Sequence, residues 1–474
     1  MNASAGVKSD TQGSTAPAYT RELAKFLAEH RYEDIPVAVV ERAKDVILDT
    51  IGCMFWGSTT PSGQIATELA VEMSGGVSAG ATIVGDHRKA SLPAAALANG
   101  IFAHADEFDD RNTESQTHAS GAILGAALVA GEGRKIDGKK LLRSFILGHE
   151  ASSHVAITVA PEGFHNGFHP AGQYSTFGAA ASAGIIRDLD AQKMAWAIGL
   201  AATQASGTVE TAYSSDAKIL HTGKGGMSGL CAALLAEKGF TGGYQALEGS
   251  HRAPGYLRMI SATPRLHRIL ENLGVEYKVL SRVGLKPYSC AGDMHPGIDA
   301  VWTIMRDHGL KKEDIRRIDV DSFRIAKTHF DTPKPDTRIA ALLSYQHCIA
   351  CAVVIGEVTP TQFTDRWIKD KDVDRVRQLI HLHIDYDFDA KFPKNYVARV
   401  KVESTKGTFT HLCDASRGTP ENPMTREDVR TKYYKLATAR ISREQAEAID
   451  KAVMALDKAA DIDELIGLLA KKPG

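Results

Sequence analysis

The chain has 474 residues, with 56 Lys and Arg set against 57 Asp and Glu for a formal net charge of −1. No basic block stands out, which argues against a nucleic-acid partner. Mean hydropathy is −0.18 and no apolar run reaches the ~18 residues of a membrane span, so the partners to expect are small molecules or a second copy of the chain. The length allows a sizeable core and more than one domain.

Residues 1–18 are polar and small, without the apolar centre of a signal peptide, and read as a disordered tail. The six cysteines, Cys53, Cys231, Cys290, Cys348, Cys351 and Cys413, show no disulfide spacing, which fits a reducing cytoplasm. A helical body is expected over 19–273. In PVAVVERAKDVILDTIGCMFWG, Val40, Ala43, Ile47, Ile51 and Met54 recur at three and four residues. Pro36 suits the first turn there and Gly57 a C-terminal cap. Leu92 to Ala103, Gly121 to Glu132, Leu141 to Ser153, Phe177 to Ile186, Lys193 to Ala202 and Met227 to Lys238 follow the same period. Many are rich in Ala and Gly, which lets helix axes approach closely.

Beyond about Leu273 the period changes. Ile315, Ile318 and Val320 fall in a strand-like run, and Ile380, Leu382, Ile384 and Tyr386 alternate with polar residues. Ala398, Val400 and Val402 alternate likewise and lead through Thr405-Lys406-Gly407 into TFTHL, a hairpin pattern. The reading is a mainly α protein: a large all-helical domain, a smaller α+β lid domain over 274–430, and helices over 431–474 that return to the first domain.

The densest chemistry lies in FAHADEFDDRNTESQTHAS, from Phe102 to Ser120. Charge at this density is costly to bury unless the groups pair or meet a charged ligand, so the segment is a candidate active-site wall. Asp106, Asp109 and Asp110 admit a Mg²⁺ reading, but no Gly-rich phosphate cradle accompanies them. A structural role, holding the loop and orienting His118, is preferred. Cys348 and Cys351 form a CxxC inside an apolar helix without a second pair, and buried packing is preferred to zinc or redox chemistry. No metal and no cofactor is expected.

The run HADEFDD…HAS, then NGFHPAGQYSTFGAAASAGII, ATQASGT, DAKILHTGKGG, GFTGGYQALEG, KPYSCAGDMHPGIDA and RGTPENPMT resembles the MmgE/PrpD family in order and spacing. That family comprises 2-methylcitrate dehydratases, cis-aconitate decarboxylases and an iminodisuccinate epimerase. The resemblance implies a helical domain with an α+β lid, a homodimer, and an active site in the interdomain cleft. It implies His118, His169, Lys218 and Lys286 as catalytic residues. Glu107 and Arg111, with both lysines, would bind substrate, and so would His347, which stands where the animal decarboxylases have a tyrosine. From residue type alone the two lysines would be surface groups.

Two departures bear on the substrate. Many members of the family carry Asp in place of Glu107, and a small or aromatic residue, often followed by His, in place of Arg111-Asn112. Arg111 could clamp a further carboxylate, or pair internally with Asp109 or Glu114. The implied function is a metal-independent lyase acting on a small di- or tricarboxylate by decarboxylation or dehydration. The alternatives are an epimerase that returns the proton it removes and, more weakly, a non-catalytic carboxylate-binding protein.

Overall fold

A computed structural model describes residues 18–75 and 80–470; the expected tail lies outside them except for residue 18. The described chain is mainly helical, with small sheets. None of its helices is long and apolar enough to cross a membrane.

One hydrophobic core runs from Leu23 to Leu285 and takes in Met424 to Leu469 from the end of the chain. Its centre is a stack of Ala- and Gly-rich helices: Ala217–Glu237 packs on both Leu92–His104 and Ser175–Ile186. A side chain at Gly223 would meet the Leu97 carbonyl oxygen at 2.4 Å, so glycine is what allows this crossing. The Ala217–Glu237 helix begins ten residues before the predicted Met227. Three glycines weaken the local helical signal there, and packing against neighbouring helices supplies what propensity lacks. Gly57, expected as a cap, lies inside the Val37–Gly57 helix and Ser58 is the cap residue. A Cβ at Gly57 would stand 1.9 Å from the Phe102 carbonyl oxygen, so close approach explains this glycine.

A second core gathers Tyr288 to Cys413. Its sheet has the order β6-β5-β7-β8, from β5 (Ile315–Ser322), β6 (Ile380–Ile384), β7 (Ala398–Ser404) and β8 (Gly407–Cys413). β5 and β6 are parallel, whereas β7 is antiparallel to both β5 and β8. The predicted alternation through Tyr386 stops at Ile384, because the Asp385 carboxylate accepts from the backbone N–H groups of Asp387 and Phe388 and caps a short helix. Helix His295–Asp307 covers one face of β7 and β8. Helix Arg426–Ala437 then carries the chain back to pack on Val37–Gly57.

Two small ladders complete the first body. β1 (Ala81–Thr82) pairs with β2 (Lys89–Ala90), and β3 (Asp110–Asn112) pairs antiparallel with β4 (Val283–Leu285). The β3–β4 ladder aligns Asp110 with Leu285 and Arg111 with Gly284, which brings Asp109 beside Lys286, the residue after β4. This pairing, invisible to periodicity, assembles the site.

Candidate active site

Between the Leu92–His104 and Ser120–Gly131 helices the chain buries its acidic segment instead of exposing it. Glu107, Asp109 and Asp110 are 2%, 0% and 1% exposed, a burial tolerated only with compensation. Glu107 sits in the left-handed region at φ 53°, a conformation costly for a non-glycine residue. Its carboxylate is held on three sides. Oε1 lies 3.0 Å from His104 Nε2 and 3.2 Å from Lys218 Nζ, and Oε2 accepts from Lys286 Nζ at 3.1 Å. Asp109 Oδ2 stands 2.8 Å from His104 Nδ1, and its Oδ1 is 3.6 Å from Lys286 Nζ.

These distances order the charges. Burial alone would raise the Glu107 pKa, but Lys218, Lys286 and His104 hold it well below the usual carboxylate range. Burial likewise works against charge on His104, yet Asp109 and Glu107, one at each ring nitrogen, lift it to about 9. Asp109, buried beside His104 and Lys286, falls to about 2. Asp110 is different: burial, and then the charge on Asp109, push it up to about 7. Its oxygens accept from the backbone N–H groups of Ala119 and Ser120, which fastens the loop to the next helix. Three cations, His104, Lys218 and Lys286, therefore meet two strongly acidic carboxylates, Glu107 and Asp109, a surplus of one positive charge in that cluster, while Arg111 and Asp293 face the cavity beyond it.

His118 is fixed by a backbone oxygen. Its Nδ1 lies 2.7 Å from the Asp110 carbonyl oxygen, which can only accept, so Nδ1 carries the proton and donates. Burial and the nearby Lys286 lower the ring's pKa to about 3. The ring is therefore neutral, with a lone pair on Nε2. His169, ahead of the short Pro170–Gln173 helix, is held by its backbone N–H to the Gly207 carbonyl and by a 2.9 Å contact between its Nδ1 and that of His221. Burial, then Lys218 and His221, keep it well below the ordinary histidine range.

Glu107, Arg111, His118, His169 and Lys218 line one cavity together with Tyr213, Asp293, Phe330 and Tyr396. Its wall thus draws on residues from both sides of the boundary between the two cores. The Arg111 guanidinium donates to the Gly292 carbonyl at 2.6 Å and to Ser416 Oγ at 3.0 Å, and lies 5.3 Å from the centre of the Tyr396 ring.

Residues 21–268 match the MmgE/PrpD N-terminal domain, and residues 288–458 match the MmgE/PrpD C-terminal domain. The chain belongs to the MmgE/PrpD family. This MmgE/PrpD chain is 25% identical over 490 residues to the cis-aconitate decarboxylase of Aspergillus terreus (strain NIH 2624 / FGSC A1156), covering 98% of each chain. It is 27% identical over 480 residues to the cis-aconitate decarboxylase-like protein oryM of Aspergillus oryzae (strain ATCC 42149 / RIB 40), covering 95% of this chain and 97% of the relative. To the cis-aconitate decarboxylase of Homo sapiens it is 27% identical over 447 residues, covering 91% and 90%.

In this MmgE/PrpD chain Glu107, Arg111, His118, His169 and Lys218 line one cavity, while Lys286, expected to bind substrate, stands behind Glu107 and does not line it. Lys218 and Lys286 are buried, at 5% and 0% exposure, against what residue type alone implied, because Glu107 and Asp109 supply the counter-charge. His347 departs from expectation. It does not line the cavity but is buried in the second body, with Nε2 3.0 Å from the Gln362 carbonyl oxygen and its ring against Phe363. Arg111 pairs with neither Asp109 nor Glu114; Glu114 instead meets Arg268 and Arg282. Asp106 pairs with Arg338 and accepts from the Trp56 indole. Cys348 and Cys351 are buried in the Tyr345–Val354 helix.

Sequence reasoning missed His104, Tyr213 and Tyr396. His104 carried a usable signal, standing three and five residues before Glu107 and Asp109 at the end of a helix. The aromatic residues carried none. Donor atoms of His104, Asp109 and His118 lie within 4.8 Å of one another, as metal ligands would. Both His104 nitrogens face carboxylates, whereas His118 donates from Nδ1 and keeps a bare Nε2.

Behind the site, Lys432 of the returning helix is paired with Asp49 at 2.8 Å and donates to the carbonyls of Phe108 and Lys286. It ties the acidic loop and the Lys286 backbone to one point. Lys432→Met leaves Asp49 buried without its cation and should cost about 3–5 kcal/mol, read as a lower midpoint in urea unfolding.

Proposed function

We propose that the chain is a lyase of small polycarboxylates, removing CO₂ from a cis-aconitate-like acid or water from a 2-methylcitrate-like one, with no metal or other cofactor. The observation that carries this reading is the positive surplus around a neutral imidazole, His118, whose Nε2 has no protein partner among the described residues. Losing CO₂ leaves an electron pair on the carbon skeleton, delocalised onto a neighbouring carboxylate, and dehydration passes through a related anion after proton removal. Either anion needs fixed cations and a positioned proton donor or acceptor. Lys218 and Arg111 are suited to the substrate carboxylates, Lys286 and Glu107 to setting the field, His169 to delivering a proton, and His118, whose Nε2 is a bare lone pair, to removing one in a dehydration. The names of the full-length relatives favour decarboxylation.

In this reading the second body acts as a lid, because it supplies Asp293, Phe330 and Tyr396 to the cavity wall. A homodimer is proposed from the stripe of Ile65, Leu69 and Met73, spaced by four residues and 68%, 43% and 53% exposed. A cytoplasmic setting is proposed from the six free cysteines.

The test is turnover of cis-aconitate, 2-methylcitrate, citrate and iminodisuccinate followed by proton NMR in D₂O. The expected result is CO₂ release from cis-aconitate with one solvent deuteron in the product, retained after EDTA treatment. Deuterium exchange or epimerisation without loss of mass would make the protein an isomerase. Complete loss on chelation, restored by one divalent ion, would make His104, Asp109 and His118 a metal site.

A further inference from the structure

His221 lies outside the cavity-lining set, yet it is the side chain that fixes His169. It stands one turn after Lys218 on the Ala217–Glu237 helix, is 7% exposed, and faces His169 ring to ring with centroids 4.9 Å apart. The contact joins Nδ1 to Nδ1 at 2.9 Å. Two neutral imidazoles in that geometry share one hydrogen, so one ring donates and the other accepts, and each tautomer dictates the other. Neither ring's Nε2 has a hydrogen-bond partner among the described residues.

The loop around both rings holds the contact in place. The Gly207 carbonyl accepts from the His169 backbone N–H at 3.0 Å and from Gln173 Nε2 at 3.2 Å. Gly207 itself has φ 147°, and a Cβ there would sit 3.2 Å from the His221 ring. Gly172 closes the other side, where a Cβ would meet the Ser206 carbonyl oxygen at 2.2 Å and His221 Cβ at 3.2 Å. The charged and titratable groups that act on the pair are Lys218 and Lys224 on the same helix, His104 from the neighbouring helix, and His118. All are cationic or neutral, so nothing there favours an imidazolium, and a neutral, tautomer-locked pair is the consistent state.

We propose that His221 is the positioning residue of His169, donating from its Nδ1–H so that His169 presents Nε2–H to the cavity, and that the two rings form a relay replenishing that proton from solvent. The proposal rests on the lyase reading. When His169 Nε2 gives its proton to the substrate carbanion, a C–H bond forms and an N–H bond breaks. In the same concerted shift His169 Nδ1 takes the proton from His221 Nδ1 and His221 Nε2 takes one from water, so that no imidazolate forms and the hydroxide left behind is neutralised in solvent. The net change is one solvent proton delivered to carbon, with both rings neutral in the exchanged tautomers, and rotation or reverse exchange through water resets them.

The first measurement is independent of substrate: ¹⁵N NMR of histidine-labelled, ligand-free protein. His169 should report a protonated Nε2 and a bare Nδ1, and His221→Phe should shift it to a mixture of tautomers. A wild-type His169 protonated on Nδ1 overturns the proposal. The second is kinetic. His221→Phe should lower kcat about 10-fold or more, leave KM within about twofold and raise the solvent isotope effect on kcat, as expected when proton delivery becomes slow. Added imidazole should restore part of the rate to His221→Ala. Normal kcat in His221→Phe, or a loss confined to KM and Tm, overturns the relay, and His221→Gln provides the same test if the Phe variant folds poorly. If wild-type protein turns over none of the four acids, the lyase reading fails on its own, while the tautomer measurement still decides the assignment of His221.

Discussion

Replacing Lys286 by Met is expected to abolish measurable turnover, roughly 10³-fold or more in kcat/KM, and to cost about 3–5 kcal/mol of stability, the range for removing one partner of a buried ion pair. The size of the effect follows from position. Lys286 is fully buried, and its ammonium lies between Glu107 at 3.1 Å and Asp109 at 3.6 Å. Without it, two carboxylates with no access to water depend on His104 and Lys218 alone. The pH dependence has a definite sign. Burial opposes the charge on Lys286, but Glu107 and Asp109 raise its pKa, so its contribution is complete below the ordinary lysine value of about 10.4 and is lost as pH rises through the folded value. The depressed Glu107 contributes fully above about 4.3, and that contribution is lost as pH falls through its folded value. The stability difference between wild type and Lys286→Met should therefore stay constant from about pH 5 to pH 9 in urea unfolding. A difference below about 1 kcal/mol would mean that Glu107 and Asp109 are not charged together in the folded protein; a change near pH 7 would instead report Asp110, which burial and the charge on Asp109 push up to about 7.

What the sequence made legible, and what it did not, divides along a physical line. The helical body was readable because Val40, Ala43, Ile47 and Ile51 repeat with the period of a helix, and the hairpin because Ala398, Val400 and Val402 repeat with the period of a strand. The site residues were legible only through the order of seven short motifs. Composition placed Lys218 and Lys286 on the surface, since nothing local to either residue shows that Glu107 and Asp109 will meet them. That meeting depends on the β3–β4 ladder, a pairing of two three-residue strands more than 170 positions apart, too short to leave a periodic trace. His347 illustrates the converse error. A position suggested by resemblance lies in the second core against Phe363, where its ring completes packing and one hydrogen bond. Arg111 lines the cavity, but in place of Asp109 or Glu114 its internal partners are a carbonyl and a hydroxyl from distant segments.

The second large effect concerns His118. Its geometry assigns the tautomer without any appeal to pH: the Asp110 carbonyl oxygen takes the Nδ1 proton at 2.7 Å, so Nε2 is left as a lone pair on the cavity wall. His118→Ala should lower kcat by roughly 10²- to 10⁴-fold, the range for a positioned acid–base group, where the reaction removes a proton as in dehydration, and by far less for a decarboxylation, whose proton comes from His169, with KM changed only a few-fold in either case. His118→Asn is the sharper variant, because its amide N–H can replace the Nδ1 donor to Asp110 while supplying no basic nitrogen. It should be as inactive as His118→Ala yet closer to wild type in Tm. Burial, reinforced by Lys286, holds the ring's pKa at about 3. The acid limb of kcat/KM, which reports the free enzyme, should therefore not fall near pH 6.5, where an ordinary histidine would lose its lone pair. If both His118 variants and His169→Ala keep near-normal kcat while Lys286→Met still binds substrate without turning it over, the proton belongs to lysine and the imidazoles are scaffolding. Lysine is the weaker candidate because Glu107 and Asp109 raise the Lys286 pKa despite its burial, and an ammonium held so firmly is a poor base at neutral pH.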